Sequence, residues 1–183
     1  VENKNQKLSN DFVFDFAEDK TGNVYIATAG KGVNLFNIAT QKLSQLHSPF
    51  PEDMNSFSKT LCLDKNESLW IGTEGNGLYS MSIADKSWKR LKQSEDPNST
   101  SSDIITDLIM GMDNTLWIST DGGGLNHLKV DENEINTFRY SPTHTSGLST
   151  DALYKLHFDR TGNLWVGTFN GGLNVLKTIS SPF

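Results

Sequence analysis

The chain has 183 residues, 36% of them hydrophobic and 10% aromatic, with 15 glycines and a single cysteine. Sixteen basic against 22 acidic residues leave a net charge of −6, which excludes the basic footprint of a nucleic-acid partner. The lone cysteine excludes an internal disulfide framework and a cysteine-rich zinc site, and no apolar run approaches the ~18 residues that a membrane span requires.

Four segments align without a gap: Asp11 to Gly32, Ser56 to Gly77, Asp103 to Gly124 and Asp151 to Gly172, each spanning 21 steps. Every copy opens with an apolar run: Phe12 to Ala17, Thr60 to Leu63, Ile104 to Met110, and Leu153 to Phe158. A turn follows, clearest in Asp19-Lys-Thr-Gly-Asn and Asp159-Arg-Thr-Gly-Asn, where the aspartate can close the turn and the glycine accepts positive φ. The second and third copies carry Glu67 and Asn114 in place of Gly22, so a looser turn is expected there. The next strand holds Tyr25, Trp70, Trp117 and Trp165, each followed three residues on by Thr28, Thr73, Thr120 and Thr168. Both faces of that strand are apolar, which implies a sheet covered on both sides. The four aromatic residues are therefore expected at equivalent, largely buried sites between or within blades.

A glycine turn then leads into a third strand, Val33 to Phe36, Leu78 to Met81, Leu125 to Leu128 and Leu173 to Leu176. A weaker fourth strand follows in three copies, near Leu43, near Trp88 and near Ile135, before a polar loop bearing Pro49, Pro97 or Pro142. Strand-sized runs recurring about every 45 residues, four to a unit, imply all-β structure built as β-propeller blades. The expectation is a single propeller segment, 1–183, with blades at approximately 9–47, 54–91, 101–140 and 149–183 and the last blade short of an outer strand.

The stretches Asp159-Arg-Thr-Gly-Asn-Leu-Trp-Val-Gly-Thr-Phe-Asn-Gly-Gly-Leu-Asn and Leu116-Trp-Ile-Ser-Thr-Asp-Gly-Gly-Gly-Leu-Asn, with the loop Asp96-Pro-Asn-Ser, resemble the two-component regulator propeller repeat. The first copy departs from that pattern, with Tyr25 for tryptophan and Val33 for leucine. The repeat occurs in the periplasmic sensor regions of hybrid two-component histidine kinases, typified by gut Bacteroides. The resemblance implies a non-catalytic periplasmic sensor segment of a longer kinase, reading glycan fragments and signalling across the membrane. A protein-interaction or oligomerisation platform is the alternative. A propeller lyase acting on streptogramin antibiotics is the remote one, because that chemistry asks for a histidine acid/base and a divalent metal.

The residues themselves offer little chemistry. Glycine-rich runs that enter strands, with no helix and lysine after them, are hairpin turns rather than phosphate cradles. His47, His127, His144 and His157 fall at different phases of the repeat and form no metal spacing. His157 occupies a position that is Ala17, Cys62 and Ile109 in the other copies. Cys62, between two leucines, is a small buried hydrophobe. No cofactor, metal, nucleic acid or membrane contact is expected of this segment. Binding is expected on the face that collects the glycine turns, where the copies differ: Lys31, Glu74, Asn76, Asp121, Phe169 and Asn170. An oligosaccharide is the ligand class that the resemblance implies, and a four-blade arc with open ends is expected to associate with itself or with further blades.

Overall fold

The computed structural model describes residues 7–50, 57–143 and 147–177. His144 and the expected blade margins at 54–56 and 178–183 lie outside these described residues. The first antiparallel sheet contains β1 (Val13–Glu18), β2 (Asn23–Thr28), β3 (Val33–Asn37) and β4 (Lys42–Gln45) in sequence order. The second contains β5 (Ser58–Leu63), β6 (Ser68–Thr73), β7 (Leu78–Ser82) and β8 (Trp88–Leu91). The third contains β9 (Ile105–Met110), β10 (Thr115–Thr120), β11 (Leu125–Lys129) and β12 (Glu134–Phe138). Among the described residues the fourth has three strands, β13 (Leu153–Phe158), β14 (Leu164–Thr168) and β15 (Leu173–Leu176). These are propeller blades: β1 packs on β5, β5 on β9 and β9 on β13, so the first strand of each blade is innermost.

Local chemistry explains the repeat. Asp19 Oδ1 accepts the backbone N–H groups of Thr21 and Asn23 at 2.9 and 3.0 Å, and Asp64 and Asp159 do the same for their own turns. The other carboxylate oxygen reaches the aromatic position. Tyr25 OH lies 3.3 Å from Asp19 Oδ2, Trp70 Nε1 donates to Asp64 Oδ2 at 3.0 Å, and Trp165 Nε1 donates to Asp159 Oδ2 at 2.8 Å. Burial opposes the Asp19 charge, but hydrogen bonds from Thr21 and Asn23 outweigh it and bring its carboxyl down to about 2. Burial, with Asp19 beside it, pushes the Tyr25 hydroxyl up to about 12. The threonine closes the other end of the strand, its Oγ1 donating to the carbonyl of Gly32, Gly77, Gly124 or Gly172 at 2.7–3.0 Å.

The expected loosening of the second and third turns does not occur. Glu67 and Asn114 adopt φ of 60° and 63°, in the left-handed region where Gly22 and Gly162 also lie. Their amides still bond back to the carbonyls of Asp64 and Gly111, at 3.2 and 3.3 Å against 3.0 Å in the glycine copies. Pairing of the flanking strands holds a conformation that costs a residue with a Cβ roughly 1–2 kcal/mol.

The core lies between blades rather than within them. Tyr25, Ala27 and Val33 of the first blade cluster with Leu61, Leu69 and Ile71 of the second. Trp70 and Leu78 cluster with Ile105, Leu108, Leu116 and Ile118. Trp117 and Leu125 cluster with Leu153, Leu156, Leu164 and Val166. Tyr25, Trp70 and Trp117 thus face the blade that follows them, which corrects the expectation of four equivalent, largely buried sites. Tyr25, Trp70 and Trp117 are 1%, 7% and 9% exposed, whereas Trp165, with no following blade among the described residues, is 36% exposed. Burial pushes the Cys62 thiol up to about 11, so it stays protonated at neutral pH.

Candidate functional site

One irregularity recurs in every blade and builds the rim of the arc. The pairing of first and second strands slips by one residue between Val13 and Asp15, Ser58 and Thr60, Ile105 and Asp107, and Leu153 and Lys155. A β-bulge leaves one residue without a partner and re-aims its side chain. The four bulge residues are Phe14, Lys59, Thr106 and Tyr154. Just beyond each bulge, the tip of the glycine turn is tied to the start of its own innermost strand. Ala29, Glu74, Asp121 and Phe169 donate backbone N–H groups to the carbonyls of Phe12, Phe57, Ile104 and Ala152 at 2.9–3.1 Å. Bulge, turn tip and strand start therefore share one end of every blade.

The entry to the innermost strand is pinned as well. The side chains of Asn34, Asn126 and Asn174 accept the N–H groups of Ser9, Ser101 and Ser149 at 3.0, 3.1 and 3.2 Å. Adjacent blades are laced on this side, with the amides of Gly75 and Gly77 donating to the Asp103 carbonyl of the next blade at 3.0 and 2.9 Å. A rim built this way holds its side chains on a stiff frame.

Two aromatic groupings stand on that frame. At the first, Phe14 meets Phe57 edge to face at 6.5 Å, and Lys59 Nζ lies 4.8 Å above the Phe14 ring and 3.2 Å from Glu74 Oε2. At the second, Tyr154 meets Phe169 edge to face at 6.3 Å, and Phe169 is 76% exposed. Phe12 and Phe57 extend the apolar part of the rim and are exposed too. Exposed ring faces flanked by amine, carboxylate and hydroxyl groups suit a ligand with apolar faces and polar edges.

The six residues expected on this face divide. Glu74, Asp121 and Phe169 occupy the turn-tip position against the innermost strand. Lys31 and Asn76 sit two residues further along, where their carbonyls accept Gln45 and Arg90 of the outer strands, so they belong to the outer side of the turn. Asn170 is exposed at the position of Gly30, Gly75 and Gly122. Sequence reasoning passed over Phe12, Phe14, Phe57, Lys59 and Tyr154. The signal was there in part: Phe14, Lys59 and Tyr154 share the second position of their innermost strands, and Phe12 and Phe57 stand just ahead of theirs. Two grooves of about 350 and 360 Å³ open elsewhere, one between β12 and β15 and one between β8 and the β11–β12 turn.

The family model of the two-component regulator propeller matches residues 7–30 and 147–170, the first and the last copies of the unit. Two of the four copies thus resemble that repeat at the level of a family model. The matched part includes the copy with Tyr25 in the tryptophan position. Comparison with curated proteins yields no match. Among solved structures, the chain is similar to an extracellular domain from B. thetaiotaomicron, BT4673, assigned to a hybrid two component system. The TM-score is 0.79 at 20% identity, over 96% of this chain and 22% of that one. It is similar also to the extracellular domain of BT3049 from the same organism, with TM-score 0.54 and 22% identity over 96% of this chain and 28% of that one. A virginiamycin B lyase from Staphylococcus aureus gives 0.65 at 16% identity, over 97% of this chain and 62% of that one. At such identities the likeness is one of fold, and the chain spans about a quarter of the length of the two extracellular domains.

Proposed function

We propose that the chain is a non-catalytic, ligand-reading segment of the sensor region of a hybrid two-component histidine kinase, held outside the cytoplasm in the periplasm, and that its ligand is a glycan fragment. The observation that carries this reading is the rim, where Phe14 presents its ring beside Lys59 and Glu74 and, two blades on, Tyr154 and Phe169 present theirs, all on hydrogen-bonded bulges and turn tips. Sugars offer apolar ring faces and edges of hydroxyls, which this arrangement complements. The repeats and the fold shared with extracellular domains of two-component systems support the sensor role. The bulge, turn-tip and strand-start positions contain no histidine, so they lack the acid/base that a lyase of this fold would use. A protein-interaction platform is the second reading, favoured by the apolar ends of the arc.

Calorimetric titration with neutral and acidic oligosaccharides tests the proposal. Binding is expected to weaken by ~1–3 kcal/mol in Phe14→Ala and in Phe169→Ala, with the fold retained because both side chains are exposed. Binding that both variants leave unchanged would place the site away from the rim, and binding of a polypeptide in place of sugars would favour the platform.

A further inference from the structure

In every blade one residue of the third strand stands directly opposite the aromatic of the second. Strand pairing sets Leu35 beside Tyr25, Ser80 beside Trp70, His127 beside Trp117 and Val175 beside Trp165. Cross-strand neighbours share a face of the sheet, so this position covers the aromatic on its outer side. At the first junction Leu35 packs on the core together with Phe50, Ile83 and Trp88. In the third blade the His127 ring fills the position, 4.1 Å from that of Trp117. Ser80 is too small to do either. The outer half of the junction between the second and third blades stays open, as the groove of about 360 Å³ between β8 and the β11–β12 turn.

Ser80 lines this groove and is only 8% exposed, and its hydroxyl has no hydrogen-bond partner among the described residues. A hydroxyl at that depth is costly to leave unpaired, and the partner it asks for is one that enters the groove. The two walls are tied together. Asp131 of the third blade takes Lys65 Nζ at 2.9 Å and Asn66 Nδ2 at 3.2 Å, both from the second blade, and Asn114 Oδ1 accepts the Lys65 N–H at 3.2 Å. The groove is therefore preformed. It lies at the opposite end of the blades from the rim, where β6 begins and β7 ends.

Charge and volume define what fits. Asp64 uses Oδ1 on the N–H groups of Asn66 and Ser68 and Oδ2 on Trp70 Nε1, and Asp131 is held by Lys65 and Asn66, so neither carboxylate demands a cation. The carboxylates of Asp64 and Asp131 balance the ammonium groups of Lys65 and Lys89, which leaves the groove with little preference for either sign of charge. The hydroxyls of Ser68 and Ser80 each donate or accept, and Asn133 adds an amide, beside the apolar surfaces of Trp70, Leu91 and Val130. That combination matches a molecule with C–H faces and an edge of hydroxyls. The volume is that of a small-molecule pocket, not of a polypeptide groove.

We propose that this groove binds a neutral sugar of one or two rings, at a site separate from the rim and independent of the reading given to it. The Trp70 indole N–H resonance of the full chain, followed by NMR during titration, tests this. Glucose, N-acetylglucosamine and cellobiose serve as neutral probes, glucuronate and lysine as charged ones. At least one neutral sugar is expected to shift the resonance to saturation at millimolar concentration, and more tightly than either charged probe. Ser80→Ala raises the dissociation constant ~5-fold, the loss of one hydrogen bond. Ser80→Leu, which installs the residue that the first blade has at this position, fills the groove and raises it at least ~30-fold. Circular dichroism of both variants is expected to stay strand-like, and Ser80→Ala, which removes only the hydroxyl, keeps the test open if the larger side chain disturbs the fold. Phe14→Ala and Phe169→Ala leave the Trp70 shift unchanged. No shift with any neutral sugar, tighter binding of glucuronate or lysine, or binding indifferent to both Ser80 variants overturns the site. Loss of the shift in Phe14→Ala or Phe169→Ala places the sugar on the rim and overturns it as well.

Discussion

The aspartate that closes the turn between first and second strands in three of the blades has two tasks, and only one of them is visible as a turn motif. It closes the turn, as Asp-x-Thr-Gly-Asn suggests, and it holds the polar end of the buried aromatic six residues on. A large indole can then fill the space between blades without burying an unsatisfied N–H. The constant spacing of 19 to 25, 64 to 70 and 159 to 165 was open to notice in the sequence. The third blade, with Gly111 where the others have aspartate, shows the alternative: Trp117 instead lies against His127, with centroids 4.1 Å apart and the rings tilted by 32°. Asp64→Ala is expected to cost about 1.5–3 kcal/mol, the range for a hydrogen bond to a charged group. Urea unfolding of Asp64→Ala, Trp70→Phe and the double variant checks this. If the two losses simply add, the carboxylate acts through the turn alone.

At the scale of the strand and turn, the fifteen strands among the described residues were legible because length variation falls outside the repeated unit, leaving every hairpin in the same phase. The bulges were not legible. A bulge is decided by how two strands pair, and Phe14, Lys59, Thr106 and Tyr154 share no residue type that announces one. The rim was for that reason half seen, with the turn tips anticipated and the bulge residues missed. The glycine turn allows a sharp test, because its glycines serve different ends. Gly122 and Gly124 have φ of 76° and 79°, but a Cβ at Gly122 meets nothing within 4 Å, whereas one at Gly124 would lie 2.3 Å from the Phe138 carbonyl. Gly122→Ala is expected to cost roughly 1–2 kcal/mol, the price of the left-handed backbone alone. Gly124→Ala must also push β12 off β11, and its thermal or urea midpoint is expected to fall well below that of Gly122→Ala. Equal midpoints would show that the turn moves freely against the outer strand.

Across the whole molecule, stability is shared between neighbours, because each hydrophobic cluster belongs to two blades at once. In such an array a residue's contribution depends on what stands next to it. The burial of Trp165 could not be judged from its own copy, since the residues around it match those around Trp70 and the difference lies one blade away. Trp70→Ala is expected to cost about 3–5 kcal/mol, as removal of a large buried side chain from a junction does. Trp165→Ala loses its bond to Asp159 and only part of that apolar contact, and a loss of about 1–2 kcal/mol is expected. Denaturant midpoints of both variants check this, with that of Trp70→Ala expected to fall further. Equal losses would show that Trp165 is covered by a neighbour as Trp70 is, and that its contribution does not depend on the blade that follows.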